Sequence, residues 1–73
     1  MREYTVNLQW DAEASVWIAT SEDVPGLVLE SGSLDVLVER VRYAAPELLE
    51  LNGAKVENVP LFFRCERHER AYT

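Results

Sequence analysis

One cysteine, one histidine, few basic residues and no long apolar run are what this 73-residue chain has least of. The single thiol, Cys65, closes no internal disulfide. With His68 it offers two of the four ligands of a structural zinc site, so no metal is expected within one chain, and no cofactor either. A membrane-spanning helix needs about 20 consecutive apolar residues, and nothing here approaches that. Met1-Arg2-Glu3-Tyr4 leads straight into alternating apolar and polar residues, without the apolar core of a signal peptide. The expected setting is therefore soluble, reducing and cytoplasmic, away from membranes. Lys and Arg number 7 against 13 Asp and Glu, a net charge of -6. Affinity for phosphate backbones comes from clustered cations that release counterions, so direct nucleic-acid binding is not expected, and a basic protein is the favoured kind of partner.

What is present is enough for one small domain over residues 1–73, with 48% hydrophobic residues and no repeat or linker-like stretch. A chain of this size buries only about 60% of the surface its unfolded form exposes, so a second copy or a partner would add needed stability. Charge is unevenly placed. Residues 1 to 63 carry a net -7, while residues 64 to 73 set Arg64, Arg67 and Arg70 against Glu66 and Glu69, for +1.

Tyr4, Val6, Leu8 and Trp10 alternate with Thr5, Asn7 and Gln9, the period of a half-buried strand. Asp11 to Ser15 is short and polar, and Val16 to Ser21 is rich in β-branched and aromatic residues, so the two runs predict a hairpin of open turn type. Val24-Pro25-Gly26-Leu27 has the chemistry of a type II turn, with a third strand at about Leu27 to Glu30. Ser33 can cap a helix from Leu34 to about Leu51, with Asp35 in its first turn and Asn52-Gly53 as its stop. Leu34, Val38, Val41, Ala45 and Leu48 form its apolar stripe, widened by Leu37 and Leu49. The stripe keeps one phase through Pro46, which favours a single kinked helix over two helices and a loop. Val59, Leu61, Phe63 and Cys65 alternate with Pro60, Phe62, Arg64 and Glu66 as a fourth strand, Pro60 marking its start or a sheet edge. A βββαβ order with a right-handed crossover gives an α+β fold, a four-stranded mixed sheet in the order 3-2-1-4 with one helix packed on one face.

Trp10-Asp11-Ala12-Glu13, Trp17-Ile18-Ala19-Thr20-Ser21, Asp23-Val24-Pro25-Gly26-Leu27 and the helix opening at Ser33-Leu34 together resemble the N-terminal domain of HicB-family antitoxins. Pro46-Glu47-Leu48-Leu49-Glu50 and Asn52-Gly53 are similar to a shorter, uncharacterised branch of that family. The resemblance covers roughly residues 3 to 63. It implies a partial ribonuclease-H-like βββαβ unit and a partner of the HicA-like kind, a small basic ribonuclease toxin that family members neutralise. Family members usually continue into a ribbon-helix-helix or helix-turn-helix domain that binds operator DNA. These 73 residues hold no such pattern, so the expectation is toxin binding without operator binding.

A ribonuclease-H-like shape also raises the question of catalysis, which needs carboxylates converging on Mg²⁺ from the first strand, the helix and the fourth strand. The first strand has no acid before Asp11, Pro60 to Cys65 has none, and Asp35 and Glu39 read as solvated charges, so no enzyme is expected. Cys65 reads as small core filling and His68 as a solvated tail residue. Trp10 and Trp17 read as core or rim residues, with Trp17 alternatively standing on the helix-free face as a partner contact. Asp11, Glu13, Glu22 and Asp23 occupy two loops, where they either solvate the chain or steer a basic partner. Phe62 points opposite to Leu61 and Phe63, so Phe62 and Arg64 are the candidate oligomer contacts on an edge strand that a second copy would cover. The expected function is an antitoxin-like, homo-oligomeric protein-binding module. The alternative is a degenerate ribonuclease-H-like or small-ligand domain with no toxin partner.

Overall fold

In the computed structural model, which describes residues 3–72, the first alternating run builds strand β1 (Tyr4–Asp11), with Val6 and Leu8 buried and Asn7 and Gln9 exposed. It is followed by β2 (Val16–Thr20), β3 (Val28–Ser31), helix α1 (Leu34–Leu51) and β4 (Leu61–Glu66). The sheet runs β3-β2-β1-β4, antiparallel across its first three strands and parallel between β1 and β4, the α+β topology expected. Because side chains alternate along a strand, one face collects Tyr4, Val6, Leu8, Trp10, Trp17, Ala19, Leu29, Leu61 and Phe63. The helix lies on that face, over β2 and β3, and contributes Leu37, Val41, Ala45 and Leu49 to the core.

The β1–β2 loop closes on its own side chain. Asp11 Oδ1 accepts from the amides of Glu13 (3.0 Å) and Ala14 (3.3 Å), and Ser15 supplies the left-handed residue that returns the chain, at φ 54°. The Val24–Leu27 turn is type II: the Leu27 amide donates to the Val24 carbonyl (3.2 Å), and Gly26 takes φ 87°. β2 ends one residue earlier than the sequence suggests, and the physical reason is Ser21. Thr5 turns its N–H and C=O away from β4, and β2 has run out beside it. The Ser21 hydroxyl donates to the Thr5 carbonyl (2.6 Å) and the Asp23 carboxylate accepts from the Thr5 amide (2.8 Å), so loop side chains complete the ladder where backbone does not.

Ser33 caps α1 through the Val36 amide (3.3 Å). At the other end the Gly53 amide reaches the Glu50 carbonyl (3.0 Å) and the Ala54 amide the Leu49 carbonyl (3.0 Å), a Schellman motif with Gly53 at φ 84°. The helix is continuous through Pro46, as its apolar phase requires. Its buried line, however, is Leu37, Val41, Ala45 and Leu49, while Leu34, Val38 and Leu48 are only half-buried. The residues expected to widen the stripe are thus among its centre. A helix on an open sheet seals a narrow line against the strands and leaves both flanks half-wet, and the sequence does not say where that line falls.

Two placements are corrected. Trp17 stands on the helix-bearing face at 9% exposure, its ring edge-to-face with Trp10 at 5.4 Å, so it is no partner contact on the helix-free face. Its neighbours Val16 and Ile18 occupy that face instead. Cys65 does lie on the apolar side of β4, beside Leu8, yet it is exposed and fills no core, because the helix covers β2 and β3 and not this end of β4.

Candidate interaction surface

Opposite the helix, no described element covers the sheet. Register sets two rows across it: Val28, Thr20, Asn7 and Arg64 in one, and Glu30, Ile18, Gln9 and Glu66 in the next. Val16 with Asp11 and Thr5 with Phe62 extend this face at its two ends. Asn7, Gln9, Thr20, Arg64 and Glu66 line a shallow depression of about 420 Å³ along the β1–β4 seam. Amides, a hydroxyl, one cation and one carboxylate can exchange hydrogen bonds with the polar surface of another macromolecule. Apolar side chains flank them, Val28 at 70% and Phe62 at 47% exposure. They stand on the two edge strands, β3 and β4, with the polar side chains between them.

The four acids of the two loops do not form one patch. In an antiparallel hairpin the loop after β1 and the loop after β2 lie at opposite ends, so Asp11 and Glu13 are separated from Glu22 and Asp23 by the length of β1, about 20 Å. Their chemistry differs as well. Asp11 is spent on its own loop and Asp23 on Thr5, each carboxylate accepting backbone amides. Glu13 and Glu22 are exposed. The Asp23 clasp escapes sequence reasoning, although Ser21-x-Asp23 is the kind of short polar run that bonds backbone.

At the far end of β4 the Arg67 guanidinium lies over the Trp10 ring at 4.2 Å and reaches Trp17 at 5.8 Å, shielding the outer side of the aromatic pair. Two exposed ion pairs follow along the chain, Arg67 with Glu69 at 2.8 Å and His68 with Glu66, the last residue of β4, at 3.4 Å. Among the described residues no three of His, Cys, Asp and Glu gather as metal ligands, and no helix is long and apolar enough to cross a membrane. Asp35 and Glu39 are both exposed on α1, Glu39 paired with Arg42 at 2.7 Å.

Comparison with known proteins agrees with this fold. The crystal structure of the hypothetical protein TTHA1013 from the extremely thermophilic bacterium Thermus thermophilus is 40% identical, with a TM-score of 0.75, and the match covers 99% of this chain and 100% of that one. No curated protein matches the chain. The family described as a domain of unknown function, DUF1902, matches residues 3–73, and the chain belongs to that family.

Proposed function

We propose that this chain is a non-catalytic protein-binding module that works as a homo-oligomer, and that its partner is a small basic protein of the ribonuclease-toxin kind, neutralised as HicB-like antitoxins neutralise theirs. The observation that carries the reading is the bare sheet face, where Phe62 and Val28 stand exposed around a polar seam that none of the described residues covers. The acidic body supports it: complementary charge speeds encounter with a basic partner and positions it, with Glu13 and Glu22 at the two ends of the hairpin as steering charges. Neutralisation then needs no chemistry. The module occupies the surface with which the basic protein would grip RNA, and the complex excludes the substrate.

The homo-oligomer forms through β4, whose outer edge is unpaired among the described residues and whose side chains on the bare face include Phe62 and Arg64. Light scattering at tens of micromolar should show a dimer or a multiple of it, and a monomer overturns that part.

The functional test looks for a short basic reading frame beside this gene, whose absence counts against the reading, and assays RNA cleavage by its product with increasing amounts of the module. Inhibition that saturates at a fixed stoichiometry is expected. Gln9→Arg, which sets a cation in the middle of the bare face, should abolish inhibition while leaving the melting temperature within about 2 °C, because an exposed strand position changes stability little. Cleavage that persists under excess module, or inhibition unchanged by Gln9→Arg, overturns the reading.

A further inference from the structure

The segment after β4 adds length without adding core. Residues 67–72 are exposed, Tyr72 completely, and the radius of gyration is 13.6 Å where a compact chain of this size has about 11 Å. The pairing of β4 with β1 stops at Glu66 opposite Gln9, near the end of β1, so residues 67–72 run on beyond the sheet with no neighbouring strand among the described residues.

The backbone polarity of β4 follows from its pairing. The Tyr4 amide donates to the Pro60 carbonyl at 2.9 Å, and in a parallel ladder this makes Phe62, Arg64 and Glu66 turn their N–H and C=O toward β1. Leu61, Phe63 and Cys65 therefore turn theirs outward, to the open edge, and Arg67 and Glu69 continue that series.

The charges along this edge are self-complementary. From Arg64 the chain reads Arg-Cys-Glu-Arg-His-Glu-Arg-Ala-Tyr, and around His68 it is a charge palindrome of opposite signs: Arg67 mirrors Glu69, and Glu66 mirrors Arg70.

We infer that two copies of the chain join antiparallel through β4 extended to Tyr72, about a two-fold axis at His68, so that each copy's tail becomes the next strand beside the other's β4. Directly opposed residues share a face in an antiparallel pair. Arg67 then meets Glu69 of the second copy on the helix-bearing face, and Glu66 meets Arg70 on the bare face, each pair occurring twice. Tyr72 of the second copy comes opposite Arg64 and diagonally beside Phe62, giving a fully exposed aromatic ring a cation and a ring to rest on.

Neighbouring registers lack this match. An axis at Glu66 opposes Glu66 to itself, one at Arg67 opposes Arg67 to itself and Arg64 to Arg70, and one at Glu69 opposes Glu69 to itself. An axis at Cys65 matches Arg64 with Glu66 alone and sets Arg67 against Phe63. The axis at His68 also falls on a pair whose backbone groups point away from the junction, the narrow kind with Cα atoms about 4.5 Å apart. The inference rests on the oligomer proposed above and assigns its register.

Disulfide trapping tests it. In the full chain carrying Cys65→Ser and His68→Cys, mild oxidation should give a covalent dimer, because a spacing of about 4.5 Å lies within the disulfide range. With native Cys65 retained, Ala71→Cys should give a covalent dimer in which Cys65 of each copy joins the introduced thiol of the other, which guards against a His68 variant that fails to fold. The charges are read separately: Glu66→Arg should weaken dimerisation at least tenfold, and Glu66→Arg with Arg70→Glu should restore it.

A dimer by light scattering that neither cysteine pair traps overturns the register and leaves the oligomer standing. So does one trapped by wild-type Cys65 alone. A monomer overturns both.

Discussion

Two residues next to each other in sequence, Glu22 and Asp23, have the same charge and opposite work. Asp23 Oδ2 takes the Thr5 amide at 2.8 Å at the point where β2 has ended, so its loss leaves a half-buried donor without its acceptor. Asp23→Ala should cost about 1–3 kcal/mol in urea denaturation, the range for an orphaned hydrogen bond to a charged group, while Glu22→Ala should stay within about 0.5 kcal/mol. Equal effects would mean that the clasp is not holding the β1 end. Sequence reading places both in one class, because composition distinguishes a carboxylate from an amide and not one that faces solvent from one that faces a strand end. Ser15 is the second case. Its φ of 54° costs a side chain more than a glycine, so Ser15→Gly should gain about 0.5–1 kcal/mol once the added freedom of the unfolded chain is subtracted, and Ser15→Val should lose more than about 1 kcal/mol. A loss of stability in Ser15→Gly would mean that the serine side chain does something that the loop geometry does not require.

Among the elements, those with strong local signals were legible. The period of two over Tyr4 to Trp10, the Pro-Gly pair of the type II turn, and Ser33 with Asn52-Gly53 bracketing α1 are each enforced by residues a few positions apart. Ends set by tertiary contacts were less legible: Ser21 leaves β2 because its hydroxyl is claimed by Thr5, and the line of α1 that seals depends on where the helix lies over the sheet. Pro46 belongs to this scale. It has no amide for the Arg42 carbonyl, yet α1 runs on and Leu49 packs in the core. Pro46→Ala restores one backbone bond, worth about 1 kcal/mol, and releases the ring's restriction of the unfolded chain, which costs a similar amount. Any shift of the last turns would also draw the half-buried Leu48 from its place beside Gly26, where its Cδ2 lies 3.6 Å from the position a β-carbon would take. The expected change in stability is therefore within about 1 kcal/mol of zero. A gain of several kcal/mol would show that the fold merely tolerates the proline and that Leu48 and Leu49 do not depend on it.

For the whole molecule the decisive quantity is how little one chain can bury. Among the described residues ten hydrophobic side chains make up the buried core, two of them alanines, and they lie between one helix and one face of four strands. Among the described residues the other face has no layer, and the outer edge of β4 has no strand. Its consequence for interaction was legible only in part, because alternation reveals that Phe62 and Leu61 oppose each other but not which of them faces the core. Folding and association should therefore be coupled. If the folded state is a dimer, mass action adds about 0.7 kcal/mol per chain for each tenfold rise in concentration, which for a domain of this size moves the melting temperature by about 3–5 °C. Calorimetry across a hundredfold rise in concentration should show about twice that shift. Phe62→Asp sets a carboxylate beside the junction and takes away an apolar contact, so it should lower the melting temperature and raise the monomer fraction together. A melting temperature independent of concentration, or a Phe62→Asp variant that becomes monomeric without losing stability, would mean that the single copy closes its own thermodynamic balance and that the bare face and edge are kept for another partner alone.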